Sequence, residues 1–435
     1  MEFSTEAIEQ MTQILVTEFQ RQLEAGEAVP FTALEHALRG ALQEAGCASL
    51  GRMLSQQDEQ AHGPTRRCEC QQVASRIARR SAQLLSVFGW LEYRRSYYHC
   101  GACQRRWFPL DEQPGLRPGR ATPGMGRLLG MAGVTVSFEE ACRQIGEYLL
   151  VEVSVNTVRK ETQLLGERQQ QREAEWVQHS QDLAYLQARE RNPERPQRGY
   201  GSIDGAFVPI GTTWKEQKTV SWYRAGQRYG SPELHAQDIT YYTSLEGAAP
   251  FGDLVWASAV HHQVDQAAEV VFVCDGAAWI WKLVTHYFPQ AVQIVDWYHA
   301  CQYLYRLAEA LFASDSEPGQ AWLQTMLDRL WEGQITHLIY TCQQLVQENK
   351  ARPEAQAALT YYTNNQTRMD YAHFRTQGYF IGSGPVESAC KQIVALRLRR
   401  AGARWTQAGA SATAKARAAW LSNQWEELTA LPLAV

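Results

Sequence analysis

Three carboxylates, Asp204, Asp275 and Glu387, each stand in a context that suits a metal-dependent phosphoryl-transfer site. Asp204 lies in GSIDGAFVPI, whose alternating and β-branched apolar residues predict a strand with the acid at its middle. Asp275 closes VFVCDG, an apolar run of buried-strand type that passes through Asp-Gly into AAWIWKLVTHYF, a helical pattern. Glu387 opens GSGPVESACKQIVALRLRR, with Gly384 expected as N-cap and Pro385 at the first helical position. A strand centre, a strand end and a helix start can converge on one point. Oxygen ligands of this kind suit two Mg2+ or Mn2+ ions, which would hold a phosphodiester between an attacking and a leaving oxygen. An unpaired carboxylate in a central strand is costly, so Asp204 is expected to be a ligand. Asp275 has an alternative role as an N-cap, and Glu387 as a helix-capping acid with Lys391 as its ion-pair partner one turn on.

Of the ten cysteines, Cys47, Cys142, Cys274, Cys301, Cys342 and Cys390 are scattered through apolar or helical segments and read as small buried hydrophobes. The other four are grouped as Cys68-Glu-Cys70 and Cys100-Gly-Ala-Cys103, bracketing the β-rich run LLSVFGWLEYRRSYYHC. Two thiol pairs on the turns of a hairpin are the layout of a zinc ribbon. The first pair has one intervening residue where two or more are usual. A ribbon that has lost its metal is therefore the alternative, with His99 or His62 as a lesser stand-in ligand.

The chain that must position these groups has 435 residues, 45% of them hydrophobic, enough for several domains with real cores. Its first residues, MEFSTEAIEQMTQILVTEF, lack the basic start and apolar core of a signal peptide, and no apolar run reaches membrane-spanning length. A cytoplasmic protein without a membrane partner is expected. The net charge is only −4, so any contact with nucleic acid must come from local clusters. One such cluster includes Arg94, Arg95, Arg105 and Arg106; another includes Lys391, Arg397, Arg399, Arg400, Arg404, Lys415 and Arg417, with Trp405 among them.

The texture of the sequence divides into six stretches. Residues 1–62 read as helical, with Ile14, Leu15, Phe19, Leu23, Leu34, Ala37, Leu38 and Leu42 at helix spacing, and suggest a docking or dimerising module. Residues 63–112 hold the ribbon. Over 121–175 two helices, opened by Ser137 and by Ser154 or Asn156, suit a helix-turn-helix, with Thr157, Arg159 and Lys160 placed to meet the major groove. Residues 198–299 give three strands in succession and then strands alternating with helices, the order of an RNase H-like domain, in which the first and fourth strands are neighbours. Residues 300–372 are helical and too long for a loop, so they read as an all-helical insertion, and 379–435 return to the core with the Glu387 helix. The expected fold is thus α/β and multidomain.

Together, Cys100-Gly-Ala-Cys103 with FPLDEQPGL, then SFEEA, SVNTVRKET, DGAFVPI, DWYHA, GSGPVESACKQ and RWTQAGA, resemble bacterial insertion-sequence DDE transposases of the ISKra type. More distantly the chain is similar to Mutator and hAT transposases. The likeness runs in order from Cys68 to Trp425. It implies that Asp204, Asp275 and Glu387 form the catalytic triad, and that Asp296 and His299 of the DWYH motif support it; Lys391, on the same helix face one turn after Glu387, is placed to meet a phosphate. It further implies double-stranded DNA as partner, both terminal inverted repeats and target, and a homodimer or larger assembly to pair the two ends. A DNA-binding relative without catalysis and an RNA-guided nuclease are the alternatives; the latter normally carries its ribbon inside the core and its acids in the order Asp, Glu, Asp. Trp331, on a helical stripe, is expected in the core rather than stacked on a base.

Overall fold

A computed structural model describes residues 9, 12–13, 16–17, 20, 30–190, 196–227, 233–314 and 316–430. The chain divides into two compact units, Met1–Glu161 with Thr429–Val435, and Thr162–Leu428. The stripe Ile14, Leu15, Phe19 and Leu23 lies outside the described residues.

In the first unit, helix α1 (Phe31–Ala61) packs on an antiparallel sheet of β1 (Thr65–Arg67), β2 (Val73–Ser86), β3 (Gly89–His99) and β4 (Arg106–Trp107), in that spatial order. The expected apolar stripe does not make this contact, since Leu38 and Leu42 are exposed. Cys47, Leu50 and Leu54, further along the helix, make it by packing on Leu84, Leu91 and Tyr93, together with small and polar residues. Gly51 lies so close to the Glu92 carbonyl that a Cβ has no room. The Ser55 hydroxyl accepts from the Arg94 N–H at 2.9 Å, and buried Asp58 accepts from the Ser96 hydroxyl at 2.7 Å. Helix positions one turn apart thus meet alternate residues of one strand. Helices α2 (Pro123–Thr135) and α3 (Phe138–Leu149) follow, and α4 (Val155–Ser180) begins after a break at Leu150, which is left-handed at φ 54°. Ser137 caps α3 and Ser154 caps α4, each accepting the N–H of the residue three positions on.

In the second unit, α5 (Leu183–Ala188) precedes a mixed five-stranded sheet of β5 (Arg198–Ile210), β6 (Thr213–Gln227), β7 (Leu234–Ser244), β8 (Glu269–Cys274) and β9 (Val292–Val295). The spatial order is β7-β6-β5-β8-β9, an antiparallel meander with β8 and β9 added in parallel through α6 (Ala248–His261) and α7 (Ala278–Tyr287). Side chains alternate along a strand, and here the two faces differ in chemistry. Ile203, Val220 and Trp222 enter the apolar core on the α6 side, where the Trp222 indole donates to the Ser258 hydroxyl at 2.8 Å. Ser202, Asp204, Thr219 and Ser221 fall on the opposite, polar face.

After β9 comes a block of helices, α8 (Trp297–Leu311), α9 (Glu317–Trp331), α10 (Ile335–Gln347), α11 (Arg352–Asn365) and α12 (Tyr371–Thr376), which shares the sheet's core through Leu304, Leu330, Leu338 and Tyr362. The short helix α13 (Gly384–Ala389) widens at Cys390 into a π-helix that runs to Leu398, and α14 (Gln407–Leu421) and α15 (Trp425–Ala430) follow. The π-helix and α14 pack on the polar face of the sheet. There Lys415 of α14 pairs with buried Glu173 of α4 and donates to the Thr243 carbonyl at 3.0 Å. No helix among the described residues is long and apolar enough to cross a membrane.

Candidate functional site

Two groups of side chains among the described residues have the composition and spacing to hold a metal ion: Cys68, Cys70, Cys100 and Cys103, and Asp296, His299 and Glu387. In the first unit the thiols sit on two matching turns. One is closed by Cys68 N–H to the Gln72 carbonyl and Gln71 N–H to the Cys68 carbonyl, the other by Cys100 N–H to the Arg105 carbonyl and Gln104 N–H to the Cys100 carbonyl. Gln71 and Gln104 both take left-handed backbone, at φ 67° and 64°. That bend lets the short Cys68-x-Cys70 spacing present both thiols. Sulfur atoms lie 3.5 Å apart for Cys68 and Cys103, and 3.6 Å for Cys70 and Cys100. A tetrahedral ion with metal–sulfur bonds of about 2.3 Å needs edges of about 3.8 Å, so the four thiols fit one ion. The Cys103 N–H holds the Cys100 thiol down to about 7. At Cys70 the Gln72 N–H works in the same direction, but the neighbouring thiols outweigh it and push the group up to about 12. Neither histidine joins them: His99 meets Gln104, and His62 meets Asp58.

In the second unit, β5 pairs with β8 so that Gly201 is opposite Phe272. Continuing that register by three residues brings Asp204 level with Asp275. Adjacent strands lie about 4.8 Å apart, close enough for each charge to be felt by the other. Burial pushes the Asp204 carboxyl above its ordinary range and the Asp275 charge adds to this, against the Gly205 N–H, the Cys390 thiol and His299. Asp204 Oδ1 accepts from Gly205 N–H at 2.7 Å, and Asp275 Oδ1 accepts from Ala277 N–H at 2.9 Å, which fixes the bend between β8 and α7.

Glu387 approaches from α13. Its helix starts one residue earlier than the Gly-Pro pattern suggests, with Ser383 as N-cap and Gly384 and Pro385 inside the first turn. Ser383 does not cap with its side chain. Its hydroxyl donates to Glu387 Oε1 at 2.9 Å, and its N–H donates to Asp296 Oδ2 at 2.5 Å. Asp296 is fully buried and also accepts from both the N–H and Nδ1 of His299, at 2.8 and 2.9 Å. Burial alone would raise the Asp296 carboxyl, but these three bonds bring it below its ordinary value. The same Asp296 bond raises the His299 imidazole, against burial and with help from Glu387 and Asp275. His299 Nδ1 is 3.6 Å from Glu387 Oε1. The tightest set of ligand atoms is therefore Asp296–His299–Glu387, with Asp204 and Asp275 beside it.

Three contributors were not legible in the sequence. Ser383 ties Glu387 to Asp296. Cys390, read as a buried hydrophobe, hydrogen-bonds Asp204. Tyr361 of α11 donates to the Asp275 carbonyl at 2.8 Å. Only Ser383 left a signal, four residues before Glu387 in GSGPVE.

The basic residues divide by exposure. Arg94, Arg106, Arg159, Lys160, Lys391, Arg399, Arg400 and Arg404 are exposed, and Thr157 is half-buried. Arg95 is tied to Asp111 and lies 3.7 Å over the Phe108 ring, and Arg105 pairs with Glu69. Arg397 and Trp405 do not present a surface: they are 3% and 9% exposed, and the Trp405 indole donates to the Leu398 carbonyl. Lys415 and Arg417 are likewise interior, since α14 lies on the polar face of the sheet and buries its cations there. Trp331 is 36% exposed, edge-on to Trp297, with the Arg375 guanidinium 3.9 Å over its ring.

Over residues 24–427 the chain matches the model of UPF0236, an uncharacterised protein family, and it belongs to that family. Among curated proteins none matches it.

Proposed function

We propose that this member of UPF0236 is a DNA transposase of the DDE type, which binds the ends of a mobile element and cleaves and rejoins DNA strands. What supports this reading is the nearness of Asp204 on β5 to Asp275 just past the end of β8, where the charge of Asp275 helps raise the Asp204 carboxyl, with Glu387 close by on α13. The sheet order and the helical block between β9 and Glu387 agree with an RNase H-like core carrying an insertion, as expected for relatives of the ISKra type. An all-oxygen donor set of carboxylates suits Mg2+ or Mn2+. Two such ions, when bound by Asp204, Asp275 and Glu387, supply charge neutralisation at the phosphate and lower the pKa of the attacking hydroxyl.

The chain's own residues then have distinct tasks. Burial raises the Asp204 carboxyl, and a cation held there would offset that by favouring its charged form. Asp296 and Ser383 hold Glu387 and the imidazole of His299 in one orientation, with Lys391 one turn further along. The thiols Cys68, Cys70, Cys100 and Cys103 hold zinc and so fix the two turns of the hairpin. Arg94, Arg106, Arg159, Lys160, Arg399, Arg400 and Arg404, with Thr157, offer phosphate contacts to the ends and to target DNA, which fix register without reading sequence. Joining two ends requires at least two copies of the chain.

The test is incubation of the purified protein with labelled duplex carrying the end of its own element, in Mg2+ or in EDTA, beside Asp275→Asn. Mg2+-dependent nicking at the end by the wild type alone is expected. Equal nicking by both proteins overturns the assignment of Asp275. A second reading, a DNA-binding protein without catalysis, draws on the orientation of Glu387 towards Ser383 and His299. It predicts end binding by both proteins and nicking by neither.

A further inference from the structure

Beside Asp275, between α7 and α11 of the second unit, lies a cavity of about 1320 Å³ whose wall includes Gly276. Pockets for small ligands are typically about 300–1,000 Å³, so this one is larger than a single small molecule requires. Its lining carries Lys282, His286 and Arg368, and no aspartate or glutamate. Lys282 is exposed on α7 and has no ion-pair partner among the described residues. Neutral donors and acceptors, Gln356, Thr360 and Asn364, line the α11 side.

The remaining wall is aromatic. Tyr303 and Tyr361 stack at 4.0 Å, and Tyr361 is the residue whose hydroxyl holds the Asp275 carbonyl. Trp281 is 5% exposed, and its indole N–H is buried without a hydrogen-bond partner. The Arg368 guanidinium lies 4.9 Å over the Trp281 ring. Arg368 is engaged, donating to Gln293 Oε1 at 2.7 Å and the Asn364 carbonyl at 3.1 Å, so Lys282 is the cation that faces a ligand. With no acid in the lining it favours an anion, and ring edges beside amides favour bases. Proteins that bind single-stranded nucleic acid combine positive charge and aromatic rings in one groove.

We propose that this cavity binds a short unpaired segment of DNA strand next to Asp275, with phosphates on the Lys282 side and bases against the aromatic wall. The proposal rests on the transposase reading insofar as the strand is DNA and leads to Asp275. It adds that a strand must be locally unpaired near the cut, which implies duplex opening at the element's end.

The test measures anisotropy of fluorescein-labelled hexathymidylate with the full chain in EDTA, so that no cleavage is needed. Two variants change the cavity, Lys282→Glu and Gln356→Trp; Lys350→Glu, an exposed reversal of the same sign outside the lining, is the control. Circular dichroism checks that all of them fold. Roughly tenfold weaker binding in both cavity variants, with the control like wild type, is expected. Lys282→Glu should also make the salt dependence shallower, by about 0.7 in log–log slope for one lost phosphate contact. Equal binding by all four proteins overturns the proposal. So does competition by thymidine monophosphate as effective as that by unlabelled hexamer, which would mark a mononucleotide site. If the cavity variants lose binding while end-nicking is absent in the wild type, the cavity proposal stands and the transposase reading fails. Nicking with cavity-independent binding gives the reverse.

Discussion

The thiol group of the first unit and the carboxylate group of the second are built in opposite ways. The four cysteines come from two turns flanking one β-hairpin, and each turn is closed by its own backbone hydrogen bonds and a left-handed glutamine. The carboxylates come from a strand centre, the residue after a strand and a helix start: the order of the sheet makes Asp204 and Asp275 neighbours, and Ser383 ties the Glu387 helix to Asp296. The first group is a local structure that an ion would complete. The second sets acids close together in the interior, where burial foremost, and the Asp275 charge after it, raises the Asp204 carboxyl. An ion in the first should therefore act mainly on stability, and in the second mainly on chemistry.

The largest expected effect tests the second half of that contrast. Asp204→Asn, Asp275→Asn and Glu387→Gln should each lower Mg2+-dependent nicking by about a thousandfold or more, while the thermal midpoint is unchanged or rises. A variant that stays within tenfold of wild type loses its place in the site. Next comes an acid of the same unit whose task is structural. Lys415→Met leaves Glu173 buried without its cation, and should cost about 3–5 kcal/mol in urea unfolding, with most of it recovered when Glu173 is also replaced by Leu. No recovery in the double variant would mean that the lysine acts through packing.

At the thiols, Cys100→Ser should reduce bound zinc from about one ion per chain towards none, read by elemental analysis, and lower the first unfolding transition without altering the Asp275-dependent chemistry. Unchanged zinc content would show that the remaining three thiols suffice. The smallest effect is a pH shift. The Asp204 carboxyl is raised in the fold, so its contribution to stability is present below its unfolded value near 3.9 and is lost as pH rises through the folded one. Asp296, which is lowered, behaves in the opposite sense and loses its contribution as pH falls through its folded value. The acid limb of the nicking rate should accordingly lie above about pH 3.9 and move to lower pH as Mg2+ is increased. A limb that ignores Mg2+ would detach it from ligand ionisation.

The same contrast explains what the sequence disclosed. Alternation along GSIDGAFVPI and KTVSWYRAGQRY was enough to find β5 and β6, because one face is apolar and the other polar. Asp204 stands out because a carboxylate in the middle of such a strand has no ordinary structural reason to be there. The arginine-rich tail misled at Arg397, Lys415 and Arg417 because charge in sequence carries no sign of exposure: Arg397 is buried on the π-helix, and on α14 Lys415 donates to the Thr243 carbonyl of the sheet and Arg417 to the Gln392 carbonyl of the π-helix. The contact of α1 lies later in the helix than expected: its apolar part is Cys47, Leu50 and Leu54, beyond the stripe of Leu34, Leu38 and Leu42, and the rest runs through Gly51, Ser55 and Asp58, which carry no hydrophobic signal. The widening at Cys390 was invisible because a π-helix uses the same residues as an α-helix and differs only in the partner each N–H finds.

Gly276 has φ +94° and lies so close to Tyr361 that a Cβ there would stand 2.8 Å from its ring. The loop bearing Asp275 and the helix bearing Tyr361 therefore cannot be inherited separately. A lineage that exchanged its helical block for one lacking this tyrosine would leave the turn unsupported, and one that gained a side chain at 276 would have to shrink residue 361. Across descendants of this gene the two positions should change together or not at all, because the turn after β8 and the helix α11 are fitted to one another.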